Sequence, residues 1–480
     1  MMPHNGLPKF IPNDIVFESF TFPFFDSNYR CNPRALSQVF LDSRDQNFRR
    51  GKRGLYVHIP FCETMCSFCP FIKSVPSQDR VYRYLKALHR EIELVAATPL
   101  AQSWLLDAIY IGGGTPSVLS PDQIFKLIQA LIKNFSVADG FEFTVEVEPK
   151  SASAEFCHAA ASAGANRISF GVQTFNPKFR QFMNLTATLE DISNLAENSR
   201  TYFPIANFDM IVGYPGQTHN EVVEDMSLAI ALDVGNVSVF PLDYIASTPS
   251  FLDRIRRGQI PAPPSSEARW EMFHIARQTL MKRYTAQNMY FFGRPEMPGC
   301  RYMFDILYGG YFDQCIGVGL SSYSMLAGLS YANVQDEGSY IRILNGGVLP
   351  ISIASPGHAY EKSYVYMGKR TRVDMAEAIE LGIDSVVGPK LEALVDAGLA
   401  KQTSESAYVL TAQGERVYAQ IMVGFLSDGQ RRLYERACAR MKGLLNWGLD
   451  GAAGSVSASA RGSAVRNTLQ IGLGDLGGRR

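Results

Sequence analysis

Six apolar β-type segments alternate with amphipathic helical patterns through the middle of this chain, and that order restricts the fold more than any other feature. The strand candidates are 54–60 (GLYVHIP), 107–113 (DAIYIGG), 141–149 (FEFTVEVEP), 167–173 (RISFGVQ), 208–215 (FDMIVGYP) and 236–243 (NVSVFPLD). Helical patterns at 80–96, 121–135, 152–163 and 219–233 fall between them. Ser120-Pro121 supplies a helix start, with Ser as N-cap and Pro at the first helical position. Strict alternation implies a parallel sheet with right-handed crossovers. Six units predict an α/β fold, a partial (β/α)6 TIM-type barrel, with its chemistry at the C-terminal ends of the strands. Segments 287–293 and 313–320 are expected to extend that sheet beyond the sixth unit.

The flanks read differently. Residues 1–52 form an irregular N-terminal arm, and 53–330 hold the barrel with its extension. Over 355–445, helical patterns (372–380, 388–397) lead to Gly398-Leu-Ala-Lys401, then Tyr408-Val-Leu-Thr-Ala-Gln-Gly414 and a helix. Helix, helix and a short β-wing predict a small C-terminal winged-helix-like α+β domain; a helical cap over the barrel's open side competes with it. The Gly/Ala/Ser-rich stretch 448–480 predicts a disordered tail. Lys plus Arg and Asp plus Glu number 46 each, so no net charge draws this chain to nucleic acid or an anionic membrane. The polar, proline-broken start offers no signal peptide, and no apolar run is long enough to span a bilayer. A cytoplasmic protein is expected.

Three of the eight cysteines stand together: Cys62, Cys66 and Cys69, spaced C-x3-C-x2-C directly after the first strand. Thiolates are the preferred ligands of iron–sulfur clusters. A [4Fe–4S] cube has four iron corners, and three thiolates leave one open for a small molecule. Structural zinc is the competing reading, but it wants a fourth Cys or His at finger-like spacing, and the next cysteine is Cys157. Cys31, Cys157, Cys300, Cys315 and Cys438 are scattered singly, as small buried hydrophobes would be.

With the run Tyr56-Val-His-Ile-Pro-Phe-Cys62, this motif resembles the radical SAM superfamily, and within it the branch that includes oxygen-independent coproporphyrinogen III oxidase. The resemblance implies a [4Fe–4S] cluster on Cys62, Cys66 and Cys69. It also implies S-adenosyl-L-methionine (SAM), two molecules of it, cleaved reductively to start hydrogen abstraction. Gly112-Gly-Gly-Thr-Pro116 resembles the family's glycine motif, so Gly113, Gly114 and Thr115 are expected at SAM, joined by Tyr56 and Phe68 beside the cysteines. Glu146 ends the third strand; a carboxylate on a strand buried on both faces is costly unless it is paired, and the family places SAM there. Gln173 and Asp209 match residues that hold the second SAM. Ile316-Gly-Val-Gly-Leu-Ser-Ser-Tyr323 resembles the late glycine motif, with Tyr323 at the first SAM.

Departures from the oxidase shape the functional expectation. Pro70 and Phe71 follow the third cysteine where the oxidase has another cysteine. Leu185 stands where an arginine contacts the second SAM, and Asp243 where a small apolar residue is found. A porphyrinogen with several carboxylates calls for several Arg or Lys, and no basic N-terminal elements are evident. The reading placed first is therefore a class C radical SAM methyltransferase or cyclopropanase of natural-product biosynthesis, moving a SAM-derived methyl or methylene to an sp2 carbon. Asp243 and Tyr323 are its catalytic candidates, and Asp243 is also expected among the SAM contacts. Coproporphyrinogen oxidation, another haem-related radical reaction, or a haem chaperone are the alternatives. A small-molecule substrate, an electron donor such as flavodoxin or ferredoxin, and a monomer complete the expectation.

Overall fold

The computed structural model describes residues 7–12, 49–69, 73–244, 247–356 and 361–449. The tail from 450, most of the arm and Pro70-Phe71 lie outside these residues. Six parallel strands follow one another in space as in sequence: β1 (Arg53–Ile59), β2 (Leu106–Gly113), β3 (Val137–Val147), β4 (Arg167–Gln173), β5 (Ile205–Val212) and β6 (Asn236–Pro241). Helices Gln78–Ala96, Pro121–Asn134, Ala154–Ala163, Leu189–Tyr202 and His219–Ala231 connect them. The Ser120 start is a full capping box, Ser120 and Gln123 each closing on the other's backbone N–H.

The sheet does not grow at one edge only. β7 (Thr285–Ala286) and β8 (Phe291–Gly293) do continue past β6, antiparallel. Residues 313–320 do not. They supply β9 (Gln314–Val318), which pairs parallel with β1 at the opposite side, followed by the meander β10 (Tyr323–Leu326), β11 (Leu329–Asn333) and β12 (Ile351–Pro356). An apolar strand reads the same whichever edge receives it, so periodicity could not choose between the two.

Alternation along each strand divides the side chains between two cores. Leu55, Val57 and Ile59 are fully buried under the helices. The intervening face of the strands looks into the barrel, where Tyr56, Ala108, Tyr110, Cys315, Tyr323 and Met325 pack with Cys300, Tyr302 and Ile306. The last two belong to a π-helical turn, Tyr302–Leu307, lying against β1, β2 and β9.

In the C-terminal part, β13 (Arg372–Asp374), β14 (Ala400–Gln402) and β15 (Ala407–Leu410) form a separate small sheet in the order β13-β15-β14. The helical pattern expected over 372–380 is thus a strand at its start and a helix, Ala376–Glu380, only at its end. Helices Glu361–Val365, Met367–Arg370 and Tyr418–Gly424 join the main core through Tyr364, Tyr366, Met367, Ile421 and Met422. They reach both edges of the barrel: the Met289 amide donates to Lys369 O on the β8 side, and Lys362 Nζ donates to Ile306 O and Asp313 O on the β9 side.

Candidate functional site

The three thiols sit on a loop held at both ends. Where β1 stops, the Cys62 amide donates to Ser74 O and the Ser74 amide to Pro60 O. Further along, the Ser67 amide donates to Met183 O, Asn184 Nδ2 to Met65 O, and the Thr248 amide to Ser67 O. The loop is therefore fixed between the turns that follow β4 and β6. Thr115 Oγ1 donates to Cys62 Sγ at 3.3 Å. Burial pushes the Cys62 thiol up to about 11 and the Cys66 thiol up to about 12; ionised neighbouring thiols push the same way and Lys73 opposes them. Left alone these groups stay protonated, so thiolates form here only against a strongly cationic centre, which deprotonates a coordinating thiol outright. Among the described residues no three His, Cys, Asp or Glu side chains converge as ligands of a single ion would. Three free thiols on one loop match in number the ligand set that leaves one iron of a [4Fe–4S] cube open.

Beside the thiols, the turn after β2 leaves no room for side chains. Gly113 has φ +113°, and a Cβ there would lie 2.6 Å from His58 Nδ1. A Cβ on Gly114 would lie 2.5 Å from Phe61 O. The Gly114 and Thr115 amides donate to Ile59 O and Phe61 O, locking this turn to the start of the cysteine loop.

Deeper in the barrel lies a polar group that the cysteines do not touch. Tyr110 Oη donates to Glu146 Oε1 at 2.6 Å, and the Gly113 amide to Oε2 at 3.2 Å. On the next strands Ser169 Oγ donates to Asp209 Oδ2 (3.0 Å), and Asn207 Nδ2 donates to Asp209 Oδ1 (3.0 Å) and to Ser169 Oγ (2.9 Å). Ser238 Oγ closes the chain on Asn207 Oδ1. Glu146 and Asp209 lie deep in the protein yet keep partial accessibility, as side chains facing an internal space do. Burial raises Glu146 to about 7; the Tyr110 hydroxyl pulls down, Asp209 pushes up, and the Gly113 amide and Arg167 pull down. Asp209 is also raised by burial, against Ser169, Ser238 and Arg167.

Gln173, at the rim, takes φ +67°, a left-handed conformation unusual outside glycine. Three groups hold it there. Tyr214 Oη donates to Gln173 O, Arg180 Nη1 donates to Val172 O and Thr174 O, and Asp225 accepts from the Thr174 hydroxyl and the Phe175 amide. Backbone strain of this kind persists where surrounding contacts over-determine it.

The expected site residues thus fall into three groups. Cys62, Cys66, Cys69, Gly113, Gly114 and Thr115 meet at the ends of β1 and β2. Tyr56, Glu146 and Asp209 share the lumen, where Tyr56 Oη lies 3.2 Å from His58 Nδ1. Tyr323 opens β10 and packs in the same inner cluster as Tyr56, below the rim and not on the loop. Phe68 and Leu185 pack instead on a separate apolar cluster of Phe179, Met183, Ile211, Tyr214, Leu242, Tyr244, Phe251 and Ile260. Asp243 stands between two members of that cluster, half-buried, on the loop after β6. Sequence reasoning missed Tyr110, Ser169, Asn207 and Arg167. Strand alternation could have found Asn207, two residues from Asp209 on the same face; Tyr110, Ser169 and Arg167 reach the site across neighbouring strands, which no single stretch of sequence shows.

The profile of the Radical SAM superfamily matches residues 56–229. The haem chaperone HemW of Bacillus subtilis is 28% identical over 390 residues, 78% of this chain and 100% of the relative. HemW of Lactococcus lactis is 30% identical over 288 residues, 60% of this chain and 73% of the relative. Among solved structures, coproporphyrinogen III oxidase (HemN) from Escherichia coli superposes with a TM-score of 0.71 at 22% identity, covering 84% of this chain and 96% of that one. The chain belongs to the radical SAM superfamily, and within it to the branch of HemN- and HemW-like proteins. The cofactors of this family are a [4Fe–4S] cluster and SAM. Among the described residues no helix is long and apolar enough to cross a membrane.

Proposed function

We propose that this chain binds a [4Fe–4S] cluster through Cys62, Cys66 and Cys69, cleaves SAM reductively, and acts on a tetrapyrrole of the haem series. The observation that carries the first part is the trio of thiols at the end of β1, locked to a side-chain-free turn at Gly113 and Gly114. The tetrapyrrole is supported by the haem chaperones that align with this chain, one along its whole length. It displaces methyl or methylene transfer, which the sequence alone ranks first.

When bound, the reduced cluster supplies the electron that breaks a carbon–sulfur bond of SAM. The protein's part is placement. Thr115 donates to a cluster thiol, and the Gly113–Gly114 turn lets backbone approach the ligand closely. Glu146, Gln173 and Asp209 present polar groups to the lumen and rim and would be the residues that receive SAM there. An external one-electron donor such as flavodoxin or ferredoxin completes the cycle. Anaerobically reconstituted protein should bind ferrous haem or coproporphyrinogen and form 5′-deoxyadenosine only with a reductant. Absence of both tetrapyrrole binding and SAM cleavage would overturn this reading.

Carbon transfer stays as a second reading because of Leu185. It packs in an apolar cluster, and nearby Arg180 is occupied by the carbonyls of Val172, Thr174 and Ala187. The side of the rim where the resemblance implies an arginine to the second SAM is therefore apolar at Leu185. SAM carrying deuterium on its methyl group separates the readings: labelled carbon in the product supports transfer, and loss of carbon dioxide without label supports oxidation.

A further inference from the structure

One charged group in the barrel has no part in the placement above. Arg167, the first residue of β4, is 1% exposed and among the largest fully buried side chains. Its Nε has no hydrogen-bond partner, and it makes no ion pair within 4 Å among the described residues. A buried guanidinium with an unsatisfied Nε and no close anion is costly, so the surroundings must stabilise its charge at longer range. They do. Burial opposes its charge, yet Cys300, Glu142, Tyr110 and Asp209 together hold it above its usual value.

Of these neighbours, Glu142 is occupied. It accepts from the Arg301 and Tyr302 amides, the Cys300 thiol and the Thr144 hydroxyl. Asp209 and Glu146 are different: each holds hydrogen bonds from one or two strands but keeps part of its surface open to the lumen. On β4, Arg167 lies two residues before Ser169, whose hydroxyl is bonded to Asp209. On β3, Glu146 pairs in register with Ser169 and Thr144 pairs with Arg167. Arg167 therefore lies on the strand between theirs, one pleat below Glu146 in register and two below Asp209, which pairs with Gly171.

We propose that Arg167 is the positioning charge of the ligand site, holding the lumen carboxylates Asp209 and Glu146 in their anionic form so that they receive the positive centre of a sulfonium ligand. This deepens the SAM reading above and rests on it. The charged and titratable groups around the pair are Tyr56 and, beside it, His58 from β1, Tyr110 from β2 and Arg167 from β4, while Glu142 and Cys300 flank Arg167 itself. Arg167 is the permanent cation among them. Without it both carboxylates protonate more readily, and a sulfonium loses its counter-charge while a neutral thioether loses nothing.

The test compares two probes that differ in that charge, SAM and S-adenosylhomocysteine, by anaerobic equilibrium dialysis of the reconstituted full chain from pH 6 to 9. Wild type should bind SAM more tightly as pH rises through about 7, where Glu146 ionises. Arg167→Gln should move that midpoint upward and weaken SAM at pH 7 roughly tenfold, the equivalent of about one unit. S-adenosylhomocysteine should be nearly unaffected, and Arg167→Lys should restore the wild-type profile. Equal loss of both probes, or an unmoved midpoint, would overturn the proposal while leaving the SAM reading intact. Wild type that binds neither probe would sink the SAM reading and this one with it. If Arg167→Gln does not fold, wild type labelled at arginine 15Nε decides, with Arg167→Lys assigning the signal. The Arg167 resonance should titrate in step with SAM binding, and a resonance indifferent to pH overturns the proposal.

Discussion

Cys66 is the residue on which most depends. It is half-buried, and its thiol is pushed up to about 12 chiefly by burial, so it has no reason to ionise except a metal centre. Cys66→Ala should abolish both the visible absorbance of the reconstituted cluster and formation of 5′-deoxyadenosine; retention of full cleavage activity would remove the cluster from the account. Asp209 makes the complementary case. Its hydrogen bonds come from Ser169 and Asn207, on β4 and on its own strand, so Asp209→Ala leaves two donors unsatisfied. SAM stoichiometry, measured anaerobically, should fall from two per chain to one in this variant, with the cluster-bound molecule retained. A wild-type stoichiometry of one would favour a reaction with a single SAM.

At the scale of elements, the turn after β2 matters more than any helix. Gly114→Ala would put a methyl group 2.5 Å from Phe61 O, against backbone that cannot move without disturbing the cysteine loop. Cluster incorporation and SAM binding should both fall at least tenfold, equivalent to about 1.4 kcal/mol, with the far-ultraviolet spectrum unchanged. The capping box of helix Pro121–Asn134 is a contrasting control. Ser120→Ala removes the acceptor of the Gln123 amide and should cost about 1 kcal/mol of stability in denaturant unfolding, without changing SAM affinity. If both variants lost SAM equally, the turn would be structural and not part of the ligand site.

Across the whole molecule, buried acids tilt stability with pH. Burial lifts Glu91 to about 7 although Tyr340, Gly319 and Asn333 all donate to it, and Asp225 is lifted to about 6. Such a group keeps its proton in the folded state over a range where the unfolded chain has lost it. The unfolded state then binds fewer protons, so stability falls as pH rises from the ordinary carboxylate value through the folded one. The cluster-free protein should melt at lower temperature at pH 8 than at pH 6, and Glu91→Gln should flatten that slope. An equal slope in the variant would remove Glu91 as its source. The shared core also predicts that thermal unfolding shows one transition. Tyr290 Oη donates to Tyr418 Oη, and Arg277 pairs with Glu415 at 3.1 Å, joining the barrel to the C-terminal helices. Two resolved transitions would mean the two parts unfold independently.

The local character of the chain could be read without coordinates. Apolar runs and capping signals gave all six strands, with ends up to four residues off, and the helices between them except Leu189–Tyr202, because parallel strands buried on both faces carry a strong one-dimensional pattern. The thiols declared themselves by spacing, since their loop is short and continuous. Leu185 was likewise visible as a departure before its apolar surroundings were known. What tertiary structure alone decided was adjacency between segments distant in sequence. It sent 313–320 to the β1 edge, because an edge strand's hydrogen bonds do not specify their partner from one side. It placed Tyr323 below the rim with Tyr56, and it put Arg167 beneath two carboxylates from neighbouring strands. Those last contacts arise from sheet register and the closure of β3, β4 and β5 around a common interior, and neither is encoded in any single stretch of sequence.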